Sequence, residues 1–146
     1  MRIYYAAPLF NDTELKRNKE MKKWLEDRGY EVYLPQDESG LSYEIINDSN
    51  KEQVNKEIFE SDVKCLKNSD LLVFDLNGRV PDEGGCVELG MAYAWKIRCI
   101  GFKTDTRALD YTGDDNLMIE GCMNFKIARN LDELENMLKE IKMELN

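Results

Sequence analysis

The sequence predicts an α/β protein built on an open, doubly wound, parallel sheet of five strands. Two observations carry this. Short apolar, strand-like runs alternate along the chain with longer segments of helical periodicity, the order that places helices on both faces of a parallel sheet. The run DLLVFDL, Asp70 to Leu76, is almost continuously apolar, as a parallel strand covered on both faces requires.

The elements follow in order. Arg2–Ala7 reads as the first strand, and Asn11 with Glu14 reads as a capping box opening a helix that runs to about Arg28, where Gly29 stops it. Glu31–Leu34 is a short second strand ending at Pro35. Gln36–Ser49 is polar with little periodicity and reads as a long loop of the kind that carries function. Lys51–Asn68 is helical and leads into the apolar strand. Asn77–Gly85 is a turn-rich loop opening a helix from about Glu83 to Lys96, and Arg98–Phe102 is the fourth strand. Lys103–Gly121 is irregular, with a short helix near Asn116–Gly121. Phe125–Ala128 is the fifth strand, and Asn130 caps a last helix whose stripe is Leu131, Leu134, Leu138, Ile141 and Leu145. In such sheets ligands bind beyond the carboxyl ends of the strands, near the point where strand order reverses.

Composition narrows the function. The 146 residues suit one domain with a sizeable core, so residues 1–146 are read as a single unit. The 29 acids outweigh 20 bases, and a net charge of -9 argues against a nucleic-acid polymer as partner, which needs clustered Lys and Arg. Histidine is absent, which removes Ser-His and Cys-His nucleophiles, His-ligated zinc and imidazole acid-base catalysis. Protons and nucleophile must then come from carboxylates, tyrosines, cysteines, lysines or water. Cys65, Cys86, Cys99 and Cys122 are scattered without a C-x-x-C, the pattern of reduced core thiols in a cytoplasmic protein. No apolar run approaches the roughly 20 residues of a membrane span, and no membrane partner is expected.

Two carboxylates interrupt apolar patterns, and a third lies in a loop. CVELGMAYAW, Cys86 to Trp95, is apolar nearly all round a helix, which predicts burial in the protein or in a subunit contact, and Glu88 is its only charge. A carboxylate there is a functional candidate; the alternative is a first-turn Glu that complements the helix dipole. Asp62 lies four residues from both Ile58 and Leu66, inside the apolar stripe of its helix; the plainer reading pairs it with Lys64 or Lys67, or with a neighbouring loop. Asp82 in NGRVPDEGG suits a helix N-cap, but the loop matches no phosphate-binding glycine motif, and its acids suit a neutral polyhydroxyl ligand. Tyr4 and Tyr5 point to opposite faces of the sheet, with packing as the plain reading for both. Arg79, Lys103 and Arg107 read as solvated charges, and Trp24 and Trp95 as packing residues.

The set IYYAAPLF, FESDVKCLKNSD, DLNGRVPDEGGCVELGMAYAW and NLMIEG resembles, in order over about residues 3–121, the nucleoside 2-deoxyribosyltransferase family. The resemblance implies a flavodoxin-like fold and exchange of the base on a 2'-deoxynucleoside by double displacement, in nucleoside salvage, with no metal and no cofactor. Glu88 matches the family's nucleophile, Tyr4 the tyrosine that orients it, and Asp62 the aspartate that exchanges a proton with the base. Asp82 matches an acid that binds the sugar hydroxyls, and Asn116 an asparagine brought to the 5'-hydroxyl by a neighbouring subunit of a homo-oligomer. Phe10, Gln36 and Asp37 fall where the family holds the base.

The chemistry agrees with the residues. Cleaving an N-glycosidic bond develops oxocarbenium character that an anionic carboxylate stabilises and can trap covalently. Without histidine, a carboxyl group with a raised pKa is the plausible proton source for the leaving base. Two other readings stand beside this one: a nucleoside or 5'-monophosphate N-glycosidase on the same fold, and a non-catalytic nucleotide-binding module. The first loop, AAPLFND, has no serine with which to hold a phosphate as the related monophosphate hydrolases do, which favours free nucleosides and nucleobases as ligands.

Overall fold

The computed structural model describes residues 1–37, 46–108 and 111–145. Five strands, β1 (Arg2–Ala6), β2 (Glu31–Tyr33), β3 (Leu71–Asp75), β4 (Arg98–Phe102) and β5 (Ile127–Ala128), form one sheet in the order β2-β1-β3-β4-β5. Every neighbouring pair is parallel, and strand order reverses between β1 and β3, the flavodoxin-like arrangement. Helices along the chain include α1 (Asp12–Glu26), α2 (Lys51–Lys67), α3 (Glu83–Ala94), α4 (Leu117–Cys122) and α5 (Leu131–Leu145).

Strand alternation splits the core in two. On one face Ile3, Tyr5, Val73 and Phe102 pack with Met21 and Leu25 of α1 and Leu134, Leu138 and Ile141 of α5. On the other, Tyr4, Leu72 and Phe74 pack with Leu66 of α2, Leu89 and Ala92 of α3 and Met123. Tyr4 and Tyr5 are both fully buried on opposite sides, as the alternation requires. No helix among the described residues is long and apolar enough to cross a membrane.

Local chemistry sets the element ends. Asn11 Oδ1 accepts from the Glu14 N–H at 3.0 Å, while Glu14 reaches back one residue further than a capping box, to the Phe10 N–H at 2.8 Å. Gly29, at φ +79°, adopts the left-handed conformation that closes the turn after α1. The strand expected over Phe125–Ala128 shortens to Ile127–Ala128, because Phe125 has φ 57°, which no strand residue adopts. Of the expected loop over Gln36–Ser49, residues 38–45 lie outside the described residues, as do residues 109–110 of the irregular segment.

One expectation needs correction. Lys103 is no solvated charge: it is 3% exposed and its Nζ donates to both carboxylate oxygens of the equally buried Asp115, at 2.6 and 2.8 Å. In the helix CVELGMAYAW, Leu89 and Ala92 face the core, whereas Val87 and Tyr93 are 58% and 60% exposed in the single chain. Among the four thiols, Cys99 is buried and the others half-buried, and all are free.

The seating of α3 depends on Gly85. A Cβ at that position would meet Phe74 Cε2 at 2.4 Å and Cζ at 2.8 Å, whereas one at Gly90 on the same helix would meet nothing within 4 Å. Gly85→Ala therefore forces α3 off β3 and should cost about 1–3 kcal/mol, lowering the melting temperature by about 3–10 °C. Gly90→Ala should be neutral or raise it slightly, through helix propensity. Thermal denaturation of both variants checks this; equal melting temperatures would show that the α3–β3 contact is not tight.

Candidate active site

The site is assembled from four elements on the Tyr4 face of the sheet. Pairing of β1 with β2 sets Tyr4 opposite Tyr33, so both side chains project to the same side, and their rings stack with centroids 5.3 Å apart and planes 27° from parallel. The Tyr4 hydroxyl donates to Glu88 Oε1 of α3 at 2.6 Å. The Tyr33 hydroxyl donates to Asp62 Oδ1 of α2 at 2.8 Å. Asp62 thus has a phenol among its partners, while Lys67 lies over the Trp95 ring, 5.1 Å from its centroid.

Asp82 caps α3, its Oδ2 accepting from the Gly85 N–H at 2.7 Å. The cap fixes where α3 begins, and Gly85 lets that first turn lie against Phe74, so Glu88, one turn later, faces the tyrosines. Between α2 and α3 lies a cavity of about 250 Å³ lined by Phe59, Asp62, Val63, Val87, Glu88 and Met91, among others. No cationic side chain among the described residues lines it.

Burial raises the Glu88 carboxyl to about 7, opposed by the Tyr4 hydrogen bond and reinforced by the charges of Asp62 and Asp82. Burial, then the negative charge of Glu88, pushes the Tyr4 phenol far above its ordinary range, so it stays a neutral donor. Burial and the hydrogen bond to Asp62 do the same for Tyr33. A carboxylate held by one oxygen on a neutral donor, in a mostly apolar cavity, is equipped to attack an electrophilic carbon.

The structure therefore brings together Tyr4, Asp62, Glu88 and, through the α3 cap, Asp82. Phe10, Gln36, Asp37 and Asn116 line no part of this cavity. Phe10 stands 72% exposed after β1. Gln36 is buried, its amide accepting from Asn18 at 2.8 Å and donating to the Leu15 carbonyl at 2.9 Å, and Asp37 pairs with Lys22. Asn116 caps α4, accepting from the Met118 N–H at 2.9 Å.

Two polar residues were missed in the sequence. Tyr33 gave no signal, because its partner Tyr4 is defined only by strand pairing. Asp75 did: it is a charge inside an apolar strand. It is 1% exposed and accepts from the Tyr5 hydroxyl at 2.8 Å, Arg17 Nε at 3.1 Å and the Asn77 N–H at 2.9 Å, tying α1 and the loop after β3 to the sheet. A larger cavity, about 570 Å³, opens where α3, α4 and α5 end, between Ile97, Cys99, Cys122, Met123 and Ile141. Its one carboxylate, Glu144, is paired with Arg98, so it lacks the juxtaposed carboxylates found between α2 and α3.

Known proteins share this fold. Among solved structures, a conserved protein from Enterococcus faecalis V583 is 28% identical, with a TM-score of 0.74 and 98% of each chain covered. The 2-deoxyribosyltransferase of Bacillus psychrosaccharolyticus is 22% identical, with a TM-score of 0.72 over 93% of this chain and 91% of that one. A CMP N-glycosidase of Clostridium botulinum is 20% identical, with a TM-score of 0.54 over 95% and 99%. At those identities the last two show a shared fold. Among curated proteins none matches. The model of the nucleoside 2-deoxyribosyltransferase family matches residues 3–123, taking in both tyrosines and all three carboxylates of the site. By that match over most of its length, the chain belongs to the nucleoside 2-deoxyribosyltransferase family.

Proposed function

We propose that the protein transfers a 2-deoxyribosyl group from one nucleobase to another, with Glu88 as nucleophile. The observation that carries this is the Glu88 carboxylate, held through Oε1 by Tyr4 in the wall of a cavity it shares with Asp62. Glu88 Oε2 attacks the anomeric carbon while the carbon–nitrogen bond breaks. The bonding electron pair leaves with the base, and Asp62 supplies the base nitrogen with a proton. The deoxyribosyl ester on Glu88 is then opened by the nitrogen of a second base, which returns a proton to Asp62.

Asp82, beside the first turn of α3, accepts hydrogen bonds from the sugar hydroxyls, and Phe10, Gln36 and Asp37 are the residues we assign to the base. Asn116 reaches the 5'-hydroxyl of a neighbouring subunit's substrate in a homo-oligomer. The exposure of Val87 on α3 and of Leu117 and Met118 on α4, the latter two 72% and 70% exposed, supports burial of that surface by a second copy. Such a contact would also keep water from the ester, which otherwise hydrolyses. The cellular setting we assign is nucleoside salvage in the cytoplasm.

The second reading, an N-glycosidase on the same fold, draws on the likeness to the CMP N-glycosidase. Asp62 and Glu88 in the cavity wall, the nearby charge of Asp82 and the lack of a lining cation among the described residues oppose a 5'-phosphate and favour a neutral nucleoside. Incubation with deoxyinosine and adenine, followed by chromatography, separates the readings. Base exchange yields deoxyadenosine and hypoxanthine. Free deoxyribose without deoxyadenosine identifies a hydrolase, and no turnover identifies a binding protein.

A further inference from the structure

Tyr33 has no part in the reading above, yet it is placed as Tyr4 is. The two residues are opposite each other in adjacent strands, their rings are stacked, and each phenol donates to a different carboxylate. Tyr4 holds Glu88 on α3, and Tyr33 holds Asp62 on α2, so the carboxylates of two separate helices are referred to one rigid pair of rings. Packing alone would be served equally by phenylalanine at position 33. The hydroxyl is the difference, and it is spent on the carboxyl that faces the cavity.

We propose that Tyr33 is a positioning residue for proton transfer, its hydroxyl fixing the Asp62 carboxyl and stabilising the charge left there when the proton passes to the departing base. The inference rests on the exchange reading and on Asp62 as its proton donor. As the carbon–nitrogen bond breaks, its electron pair goes to the base nitrogen and the Asp62 proton moves to that nitrogen. The new carboxylate is anionic, and a hydrogen bond from a neutral donor is stronger to the anion than to the acid. Tyr33 therefore stabilises the state after transfer more than the state before it, which lowers the barrier for loss of the proton. The burial and neighbouring charge that raise the Tyr33 phenol keep it protonated, so it remains a donor across the working pH range.

The test compares two leaving groups on the full chain. Hypoxanthine leaving deoxyinosine needs a proton, whereas 4-nitrophenolate leaving 4-nitrophenyl 2-deoxyriboside does not. Tyr33→Phe keeps the ring stack and removes one oxygen. It should slow base release from deoxyinosine by about 10–100-fold in kcat, with KM and the nitrophenyl rate each changed by less than about threefold. Asp62→Asn should show the same selectivity with a larger loss. Equal slowing of Tyr33→Phe on both substrates would mark a structural role and overturn the proposal, as would no slowing on either. An Asp62→Asn variant slowed equally on both would instead overturn Asp62 as proton donor. A wild-type chain that releases no base from deoxyinosine would overturn the exchange reading itself.

Discussion

Glu88→Gln is expected to abolish base exchange while making the protein more stable above pH 7. The amide keeps an oxygen for the Tyr4 hydroxyl, so the local hydrogen bond survives, but it cannot form the deoxyribosyl ester. Loss of a covalent nucleophile costs on the order of 10³-fold or more in kcat. The stability gain follows from linkage. The carboxyl rises from an ordinary 4.5 to about 7 in the folded chain, chiefly through burial. Below pH 4.5 it is protonated in both states and costs nothing. Between 4.5 and 7 the unfolded chain loses its proton while the folded chain retains it, so stability falls as pH rises. Above 7 the folded chain carries the whole penalty, on the order of 1–3 kcal/mol. Glutamine carries none, so its advantage in melting temperature should be small at pH 4 and full at pH 8. The same titration sets the catalytic profile: kcat/KM of the wild type should fall about tenfold per unit as pH drops below the Glu88 transition. Chromatography of deoxyinosine–adenine mixtures and melting curves at the two pH values check both halves. A glutamine variant that still exchanges bases would show that Glu88 is not the nucleophile, and a stability difference independent of pH would show that burial does not penalise its charge.

What could be read in the sequence was what depends on neighbours along the chain. The apolar run before Leu76 announced a central parallel strand, and β3 is fully buried as the run implies. Glu88 announced itself as a lone charge among apolar helix residues, and its raised carboxyl is the consequence. Asp82 was legible as an N-cap because aspartate suits that position at the start of a helix. The residues that escaped are those whose meaning lies in pairing between distant segments. Tyr33 matters because β2 lies in register with β1, which no local pattern states. Asp75 belongs to a network reaching Arg17, 58 residues away. Lys103 was indistinguishable from a surface lysine, because its partner lies 12 residues on, in a stretch without periodicity.

Lys103 and Asp115 also carry the largest stability effect expected of any single substitution here. Asp115→Ala should cost about 3–5 kcal/mol, or about 10–20 °C in melting temperature, because it strands an ammonium group with no carboxylate beside it. The Lys103 and Asp115 side chains are only 3% and 2% exposed, so water cannot replace the lost partner without opening the structure. The pair does more than fill space. Lys103 immediately follows β4, while Asp115 immediately precedes Asn116, the cap of α4, and the Asp115 N–H is held in turn by Glu120 Oε1 at 2.9 Å. The ion pair thus pins the start of α4 to the carboxyl edge of the sheet and closes the intervening segment at its base. Charge alone does not require this geometry. A Lys103→Met, Asp115→Leu double variant should therefore recover most of the loss, to within about 1–2 kcal/mol of wild type, since an apolar pair of similar volume avoids desolvating two ions. Its exchange activity is the more telling measurement. If Asn116 serves the substrate, the double variant should melt near wild type yet bind nucleoside more weakly, because an apolar contact sets no single orientation for the residue next to it. A double-mutant cycle with coupling below about 0.5 kcal/mol would show that the two side chains do not act as a pair.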